Sequence, residues 1–409
     1  MKVCGGVVAL SVAIGMALLA APGVRAEPSL TARIQAALET WVAERAGPEK
    51  VTGVAAYISF GDPGPAIEAF AGKVGADPRD PPVRQSTLFQ MGSTSKSFAV
   101  AVILKLEAAG ALSLDDTIGK WLPQYPAWKD VGLRRLLNMT SGIPTYSETE
   151  PLSRVWVSEP SRELTPAELV QAAYPTGTND LPRNSGYFYS NTNYILASMI
   201  AAKAAGWSYR DLVHEMVIDA FELDSTFYEN GAYPAAVMGR LARGYFNNPD
   251  CAGYQPNCKV SWNAPLMGRD VHDTSLSWAQ AAGGAIASAR DVDRWMRAVF
   301  EGRVVPPRQQ AEWMALVSQN TGEPIADVST DDPRGYSLGL AKGIFGPLGA
   351  LWFYKGMSLG YRTLYAWFEK ENLMITLQTN SQPAQEAEGA DQLNVLLQRI
   401  HQIAESQAK

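Results

Sequence analysis

The sequence has few of the residues that build metal centres. Its 409 residues include only three histidines and three cysteines. The histidines, His214, His272 and His401, are scattered along the chain and form no HExxH pattern. They also lack the Cys/His spacing that is typical of a zinc site. The sequence therefore predicts no recognisable metal set.

Clusters of basic residues are also missing. The chain has 35 lysines and arginines against 41 acidic residues, and its net charge is -6. Loss of an N-terminal segment carrying Lys2 and Arg25 makes this charge about -8, because no acidic residue precedes Glu27. An acidic surface without such clusters, and without a binding motif for DNA or RNA, disfavours a nucleic-acid partner.

Long apolar runs are confined to the N-terminus. Lys2 is followed by an apolar run from Val7 to Ala21 and by the small-residue ending Val24-Arg25-Ala26. This pattern is typical of a secretory signal peptide. The run is shorter than the ~20 residues of a membrane-spanning helix, so we expect cleavage near Ala26 rather than an uncleaved anchor. Residues 1–26 are thus predicted to be the signal of a periplasmic or secreted protein without a stable membrane span.

The cysteine count becomes even once the signal is removed. Cys4 leaves with it, whereas Cys251 and Cys258 remain on either side of the segment AGYQPN. An even pair in an exported protein predicts a disulfide. Gly, Pro and Asn between the cysteines indicate a surface loop that the bond would close. Two reduced thiols are the alternative.

The pattern of apolar residues changes along the chain. It predicts a helix over Ile34–Ala46, a buried strand over Val51–Phe60 and a helix over Phe98–Ala109. The middle of the chain, 133–223, has mainly helical patches broken by Pro and Gly. Near the C-terminus the runs GYSLGLAKGIF, ALWFYKG, YRTLYAWF and LMITLQTN predict an antiparallel meander, and an amphipathic helix over about 384–404 closes the chain.

Strands at both ends of the chain and helices between them predict an α/β (α+β) fold. In this fold one antiparallel sheet, flanked by helices, is assembled from the N- and C-terminal parts, and a mainly helical domain is inserted between them. We expect a domain over 27–409, with its sheet part at about 27–90 and 280–409 and its helical part at about 91–279. A cleft is expected where the two parts meet.

Ser93-Thr94-Ser95-Lys96 forms an SxxK motif before an apolar helix. Residues i and i+3 share one face of a helix, so the hydroxyl of Ser93 would lie near the amine of Lys96. A buried lysine can lose its proton near neutral pH and act as general base for a serine. A helix-capping serine followed by an exposed lysine is the alternative, and the spacing recurs at Ser406 to Lys409.

Two further groups could complete such a site. Tyr189 and Asn191 form a Tyr-x-Asn pair in YFYSNTNYILASMIAAKAAG, where a turn precedes an apolar helix. A tyrosine hydroxyl near ammonium groups can pass protons to a leaving group. Tyr354-Lys355-Gly356-Met357 ends a predicted strand, where a cation and backbone N–H groups could hold a carbonyl oxygen and a substrate carboxylate.

These motifs, in this order, resemble those of the serine β-lactamase and D-alanyl-D-alanine peptidase superfamily. The segments LSLDDTIGKWLPQYP, LRRLLNMTSGIPTYSE and AAGGAIASARDVDRWMRAVF are similar to connecting segments of the class C β-lactamase branch. That branch also holds soluble DD-carboxypeptidases and β-lactamase-like carboxylesterases. The resemblance covers roughly Leu30 to the C-terminus.

The resemblance implies Ser93 as nucleophile, Lys96 as its proton partner and Tyr189 as acid and base for the leaving group. Asn191 would hold the amide side of the substrate and help to order Lys96. Backbone N–H groups of Ser93 and Met357 would form the oxyanion hole. Because these side chains supply nucleophile, base and acid, no cofactor is implied.

The third motif departs from the family pattern. Tyr354 stands where a Lys or His is expected and Lys355 where a Thr is expected, and only Gly356 is retained. Lys355 could supply the missing charge, or the alternation of strand residues could point it out of the cleft. Arg362 is a possible alternative partner for a carboxylate, although a solvated arginine is the simpler interpretation.

A second nucleophile motif overlaps this strand. Gly356-Met357-Ser358-Leu359-Gly360 fits GxSxG, the nucleophile elbow of α/β-hydrolases. That elbow requires a helix directly after the strand, whereas YRTLYAWF predicts another strand. We therefore do not expect Ser358 to be the nucleophile.

The sequence predicts an exported serine hydrolase that forms an acyl-enzyme with D-alanyl peptides or β-lactams. A small molecule or a peptide is thus the expected substrate. A carboxylesterase that uses the same Ser, Lys and Tyr is the alternative, because an ester need not present a carboxylate to the altered third motif. A non-catalytic penicillin-binding or sensor protein is the third interpretation.

Overall fold

The computed structural model describes residues 1–2, 28–175, 186–247, 265–383 and 392–405. The apolar run and cleavage site of the predicted signal peptide, and the predicted Cys251–Cys258 disulfide, lie outside these residues. So does the second SxxK match at Ser406 to Lys409. Within the described residues, no helix combines the length and apolarity that crossing a bilayer requires.

The described helices include a buried helix that begins at the lysine of the SxxK motif. In chain order they are α1 (Leu30–Arg45), α2 (Lys96–Ala108), α3 (Ile118–Trp121), α4 (Leu133–Leu137), α5 (Glu150–Ser158), α6 (Pro166–Ala173), α7 (Asn191–Ala205), α8 (Tyr209–Val213), α9 (Ala235–Met238), α10 (Gln280–Gly283), α11 (Ala289–Phe300), α12 (Pro307–Met314) and α13 (Gln392–Glu405).

The described strands lie mainly near the two ends of the chain. They are β1 (Gly53–Phe60), β2 (Ala66–Gly72), β3 (Phe89–Gln90), β4 (Thr226–Phe227), β5 (Tyr245–Asn247), β6 (Ile286–Ala287), β7 (Leu316–Ser318), β8 (Pro324–Ile325), β9 (Arg334–Tyr336), β10 (Ala341–Ile344), β11 (Ala350–Ser358), β12 (Tyr361–Phe368), β13 (Leu373–Thr379) and β14 (Ser381–Pro383).

The largest sheet among the described residues joins both ends of the chain. Its strand order is β2-β1-β13-β12-β11-β10-β9-β7-β8, and every neighbouring pair is antiparallel. The N-terminal strand β1 pairs with the C-terminal strand β13 from Val54↔Thr379 to Phe60↔Leu373. The predicted antiparallel sheet with flanking helices is therefore confirmed. The exact domain boundaries stay a prediction.

The two faces of this sheet pack against different helices. On the outer face, Ile34 and Leu38 of α1 and Leu396 of α13 form one apolar cluster with β1, β12 and β13. On the inner face the sheet contacts α11 and the larger cluster that surrounds α2. Residues Phe98 to Leu104 of α2 are almost fully buried on all sides, as expected for a helix that is apolar all round.

A close backbone approach joins β11 to the turn that carries Ser93. An added Cβ at Gly356 would lie 2.0 Å from the Met91 carbonyl oxygen and 2.9 Å from the Thr94 nitrogen. An added Cβ at Gly92, whose φ is +52°, would lie 2.5 Å from the Met357 oxygen. Only glycine fits at these two positions, so the third motif and the SxxK turn touch through their main chains.

We predict that Gly356→Ala destabilises the fold by at least about 1–3 kcal/mol, the usual cost of an overpacked site. The new methyl group must displace β11 from the Met91 carbonyl oxygen. Gly47→Ala is the matched control, because nothing lies within 4 Å of its added Cβ. Chemical denaturation gives the free energy of unfolding of both variants, and equal values would contradict the close approach of β11 to the Ser93 turn.

Asp293 of α11 is buried against the sheet. It accepts a hydrogen bond of 2.7 Å from Ser59 Oγ, which in turn accepts hydrogen bonds from the Arg297 guanidinium. Burial raises the pKa of Asp293 to about 8, although the Ser59 hydrogen bond and the charge of Arg297 oppose the shift. The folded protein therefore prefers the protonated acid.

We predict a pH-dependent stability that Asp293 controls. Because its pKa in the folded chain exceeds that of about 3.9 in an unfolded chain, its contribution is greatest below about pH 4 and is lost as the pH rises to about 8. The melting temperature of the wild type should thus fall more than that of Asp293→Asn between about pH 5 and pH 8. Parallel profiles for the two proteins would exclude this role.

Candidate active site

The SxxK residues lie at the junction of a short turn and α2. Gly92–Ser95 forms a 3-10 turn, and Lys96 is the first residue of α2. The Thr94 N–H donates to the Met91 carbonyl at 3.3 Å, and Ser95 Oγ accepts from the Ala285 N–H at 3.1 Å. This turn presents Ser93 half-buried above Lys96, whose side chain is 0% exposed. The alternative of an exposed lysine is therefore wrong.

Lys96 Nζ has three oxygen neighbours. It lies 3.0 Å from Ser93 Oγ, 2.7 Å from Asn191 Oδ1 and 2.6 Å from the Ala282 carbonyl oxygen. Burial lowers the pKa of Lys96 below the usual lysine value, although Tyr189 opposes the shift. No carboxylate is recorded in contact with this amine among the described residues. Burial therefore shifts the equilibrium of Lys96 toward its neutral form.

The Asn191 amide is oriented by residues that sequence reasoning missed. Asn191 is the first residue of α7, and its Nδ2 donates to Ser147 Oγ at 2.9 Å. Its backbone N–H donates to Thr145 Oγ1 at 3.1 Å. These contacts turn Oδ1 toward Lys96. Thr145 and Ser147 lie in LRRLLNMTSGIPTYSE, a segment that carried the family resemblance but gave no signal for this role.

Tyr189 completes a compact group around Ser93. Its hydroxyl donates to Ser93 Oγ at 2.8 Å, and Lys96 Nζ lies 5.0 Å from the centre of its ring. The Tyr354 hydroxyl donates to the Tyr189 hydroxyl at 3.2 Å. The structure thus brings Ser93, Lys96, Tyr189, Asn191 and Tyr354 together.

The third motif contributes its residues to two faces of the sheet. Tyr354 and Gly356 face the Ser93 turn, whereas Lys355 lies opposite Leu364, a member of the outer-face cluster. Because successive residues of a strand point to opposite faces of the sheet, the Lys355 side chain points away from Ser93. This corrects its assignment to the substrate-binding residues. Met357 contributes its main chain, which lies against Gly92.

Arg362 is neither a solvated residue nor part of this cleft. Its side chain is 1% exposed, and its guanidinium pairs with the Glu49 carboxylate at 2.7 Å. It also donates to the Ser381 carbonyl oxygen at 3.0 Å. The expectation of a surface arginine was therefore wrong, because the side chain is buried and Glu49 pairs with its charge.

Ser358, the serine of the GxSxG match, is a buried structural residue. Its hydroxyl donates to Gln90 Oε1 at 2.6 Å. The strand β11 that carries it continues through a tight turn into β12, so the helix that a nucleophile elbow requires is absent at this position. The prediction that Ser358 is not the nucleophile agrees with this geometry.

One cluster of three residues whose side chains could bind a metal ion occurs among the described residues, away from Ser93. His401 lies between Glu371 and Glu405 at 3.4 and 3.9 Å, and one ligand atom from each lies within 4.8 Å of the others. These residues belong to α13 and the turn between β12 and β13. Both carboxylates are exposed, as in an ordinary surface ion pair.

The chain is similar to known proteins over most of its length. The family model described as Beta-lactamase matches residues 39–399. Penicillin-binding protein 4* of Bacillus subtilis is 25% identical over 250 residues, which are 60% of this chain and 52% of that protein. The chain spans about half the length, or less, of the curated relatives it matches.

Solved structures match more completely. A D-stereospecific amidohydrolase from Streptomyces sp. has a TM-score of 0.70 and 25% identity, and the match covers 92% of this chain and 98% of that one. The D-amino acid amidase from Ochrobactrum anthropi SV3 has the same fold, with a TM-score of 0.74, 23% identity and coverage of 93% and 99%. Because the family model spans most of the chain, this chain belongs to the beta-lactamase family of serine hydrolases.

Proposed function

We propose that this protein is an exported serine hydrolase that transfers the acyl group of D-aminoacyl amides, D-alanyl peptides or β-lactams to Ser93 and then to water. The hydrogen-bonded set of Lys96, Ser93 and Tyr189 carries this proposal. The D-stereospecific amidohydrolase, which this chain matches over nearly its whole length, supports the D-aminoacyl class. Export rests on the predicted signal peptide at 1–26.

Lys96 is the proposed base for Ser93. A neutral amine has two N–H bonds and one lone pair, and two of the three neighbours of Lys96 Nζ are oxygens that can only accept. If Asn191 Oδ1 and the Ala282 carbonyl take the two N–H bonds, the lone pair faces the Ser93 hydroxyl at 3.0 Å. Lys96 can then remove the Ser93 proton during attack on the substrate carbonyl.

Tyr189 is the proposed acid for the leaving group. Ser93 Oγ forms a bond to the carbonyl carbon, and its proton moves to Lys96. As the bond to the leaving group breaks, that group takes the Tyr189 proton, and Lys96 returns a proton to Tyr189. Water then attacks the acyl-enzyme with the same groups acting in reverse, so neither side chain is consumed.

The main chain around Gly92 and Gly356 suits an oxyanion hole. The Ser93 N–H lies in the 3-10 turn that precedes α2, and the Met357 backbone packs against the same turn. Preorganised N–H donors of this kind stabilise the charge that develops on the carbonyl oxygen. Asn191, which contacts Lys96, is also proposed to hold the amide side of the substrate.

A carboxylesterase is the second candidate, and Tyr354 favours it. The position that carries a Lys or His in the resemblance holds a buried phenol, and Lys355 lies on the other face of the sheet. A neutral side chain gives a substrate carboxylate no ion pair. Esters and amides without a free carboxylate next to the scissile bond would be less affected by this change.

We predict that Ser93→Ala abolishes labelling by a fluorophosphonate and lowers hydrolysis by at least about 10³-fold, since it removes the nucleophile. Intact mass after treatment with the probe, with penicillin and with nitrocefin, and turnover of D-alanine amide and a p-nitrophenyl ester, are the readouts. Ser358→Ala is the control and should keep both labelling and turnover.

Each outcome separates the proposed activities. A stable penicillin adduct indicates a penicillin-binding peptidase, nitrocefin turnover a β-lactamase, and ester turnover alone an esterase. Labelling at Ser93 without turnover of any substrate indicates the non-catalytic alternative. If labelling persists in Ser93→Ala and disappears in Ser358→Ala, the assignment of the nucleophile is wrong.

We predict an acidic limb in the pH profile of kcat/KM that reports Lys96. The base must be neutral, so activity rises with pH as Lys96 loses its proton. Burial lowers its pKa, which moves this rise to lower pH than an ordinary lysine would give. Lys96→Arg, which stays protonated, should be inactive across the profile. Activity of this variant would contradict the assigned base.

A further inference from the structure

Two buried tyrosine hydroxyls extend the active-site hydrogen bonds beyond Tyr189. Tyr354 Oη lies 3.2 Å from Tyr189 Oη, and Tyr336 Oη lies 3.3 Å from Tyr354 Oη. Tyr336 is 1% exposed and Tyr354 is 7% exposed. Both separations exceed the ~2.7–2.8 Å usual for O–H···O bonds, and catalytic hydrogen bonds commonly shorten once substrate is bound.

The number of protons gives these bonds a direction. Each phenol has one proton, and Tyr189 donates its proton to Ser93 Oγ. Between Tyr189 and Tyr354, the donor must then be Tyr354. Because that contact uses the Tyr354 proton, Tyr336 must be the donor in the contact between Tyr336 and Tyr354. Each hydroxyl in this row therefore donates its hydrogen bond toward Ser93.

We propose that Tyr354, supported by Tyr336, is a positioning residue that stabilises the negative charge on the Tyr189 oxygen after Tyr189 has protonated the leaving group. This inference rests on the proposed function of Ser93, Lys96 and Tyr189. Burial raises the pKa of Tyr354 and of Tyr336 well above the usual tyrosine value. Both groups therefore remain protonated donors at the pH of catalysis.

The stabilisation acts only while Tyr189 lacks its proton. The Tyr189 proton moves to the nitrogen or oxygen of the leaving group as the bond to the acyl carbon breaks, and Lys96 then supplies the proton that restores the phenol. A poor leaving group, such as the nitrogen of an amide or the oxygen of a methyl ester, needs this proton. A p-nitrophenolate leaves with little assistance. The contribution of Tyr354 should thus depend on the leaving group.

The experiment compares the amide, the methyl ester and the p-nitrophenyl ester of D-alanine. We predict that Tyr354→Phe lowers kcat/KM for the amide and the methyl ester by at least about tenfold, the loss expected for a hydrogen bond to a charged group. For the p-nitrophenyl ester the same variant should lose less than about threefold. Tyr336→Phe should give a smaller loss with the same order of substrates.

Tyr365→Phe is the matched control. Tyr365 lies directly opposite Tyr354 on β12, and its buried hydroxyl has no hydrogen-bond partner among the described residues. Removing this hydroxyl should leave all three rates unchanged. A loss here equal to that of Tyr354→Phe would mean that the sheet, and not the Tyr189 hydroxyl, responds to the substitution.

Labelling of Ser93 by a fluorophosphonate separates this inference from the proposed function, because fluoride leaves without a proton. Equal labelling of the wild type and Tyr354→Phe, with selective loss of amide and methyl ester hydrolysis, supports the inference. Equal losses for all three substrates and for labelling overturn it. A wild type that is not labelled at Ser93, or that hydrolyses none of the substrates, overturns the proposed function and this inference together.

Discussion

The fully buried amine of Lys96 constrains the structure around it. An ammonium group at this depth would lose its hydration, which is costly unless other groups replace it or the group becomes neutral. The Lys96 amine has three oxygen neighbours, from the turn before α2, from α7 and from α10. These elements must therefore meet at one point, and α2 must lie inside the core for the burial to occur.

The main features of the fold could be predicted from the sequence. Apolar periodicity indicated α1, β1, α2 and most of the C-terminal meander to within a few residues, because local patterns record which face is buried. The run GYSLGLAKGIF, predicted as one strand, forms the two paired strands β9 and β10. Strands at both ends of the chain predicted one sheet that joins the two parts, whereas the specific pairing of β1 with β13 was not predicted. The small strands β4 and β6 could not be predicted, since two residues carry no usable period.

The candidate site was predicted in part. Ser93, Lys96, Tyr189 and Asn191 were identified by order and by resemblance, and the structure brings their side chains together. Thr145, Ser147 and Tyr336 were missed because hydroxyl residues are common and their role depends on contacts distant in sequence. The burial of Arg362 was missed because its partner, Glu49, lies far away in the chain.

The altered third motif shows how a single residue step in a strand changes the chemistry that a site can support. Moving a cation from one strand position to the next transfers it to the other face of the sheet, so Lys355 cannot replace the residue that Tyr354 has displaced. A cation attracts anions over a long range, whereas a phenol acts only through one directed hydrogen bond. Tyr354 can therefore assist a charge that forms transiently on its neighbour, while it offers little to a permanent carboxylate. A site built in this way depends more on proton transfer to the leaving group than on the charge of the substrate.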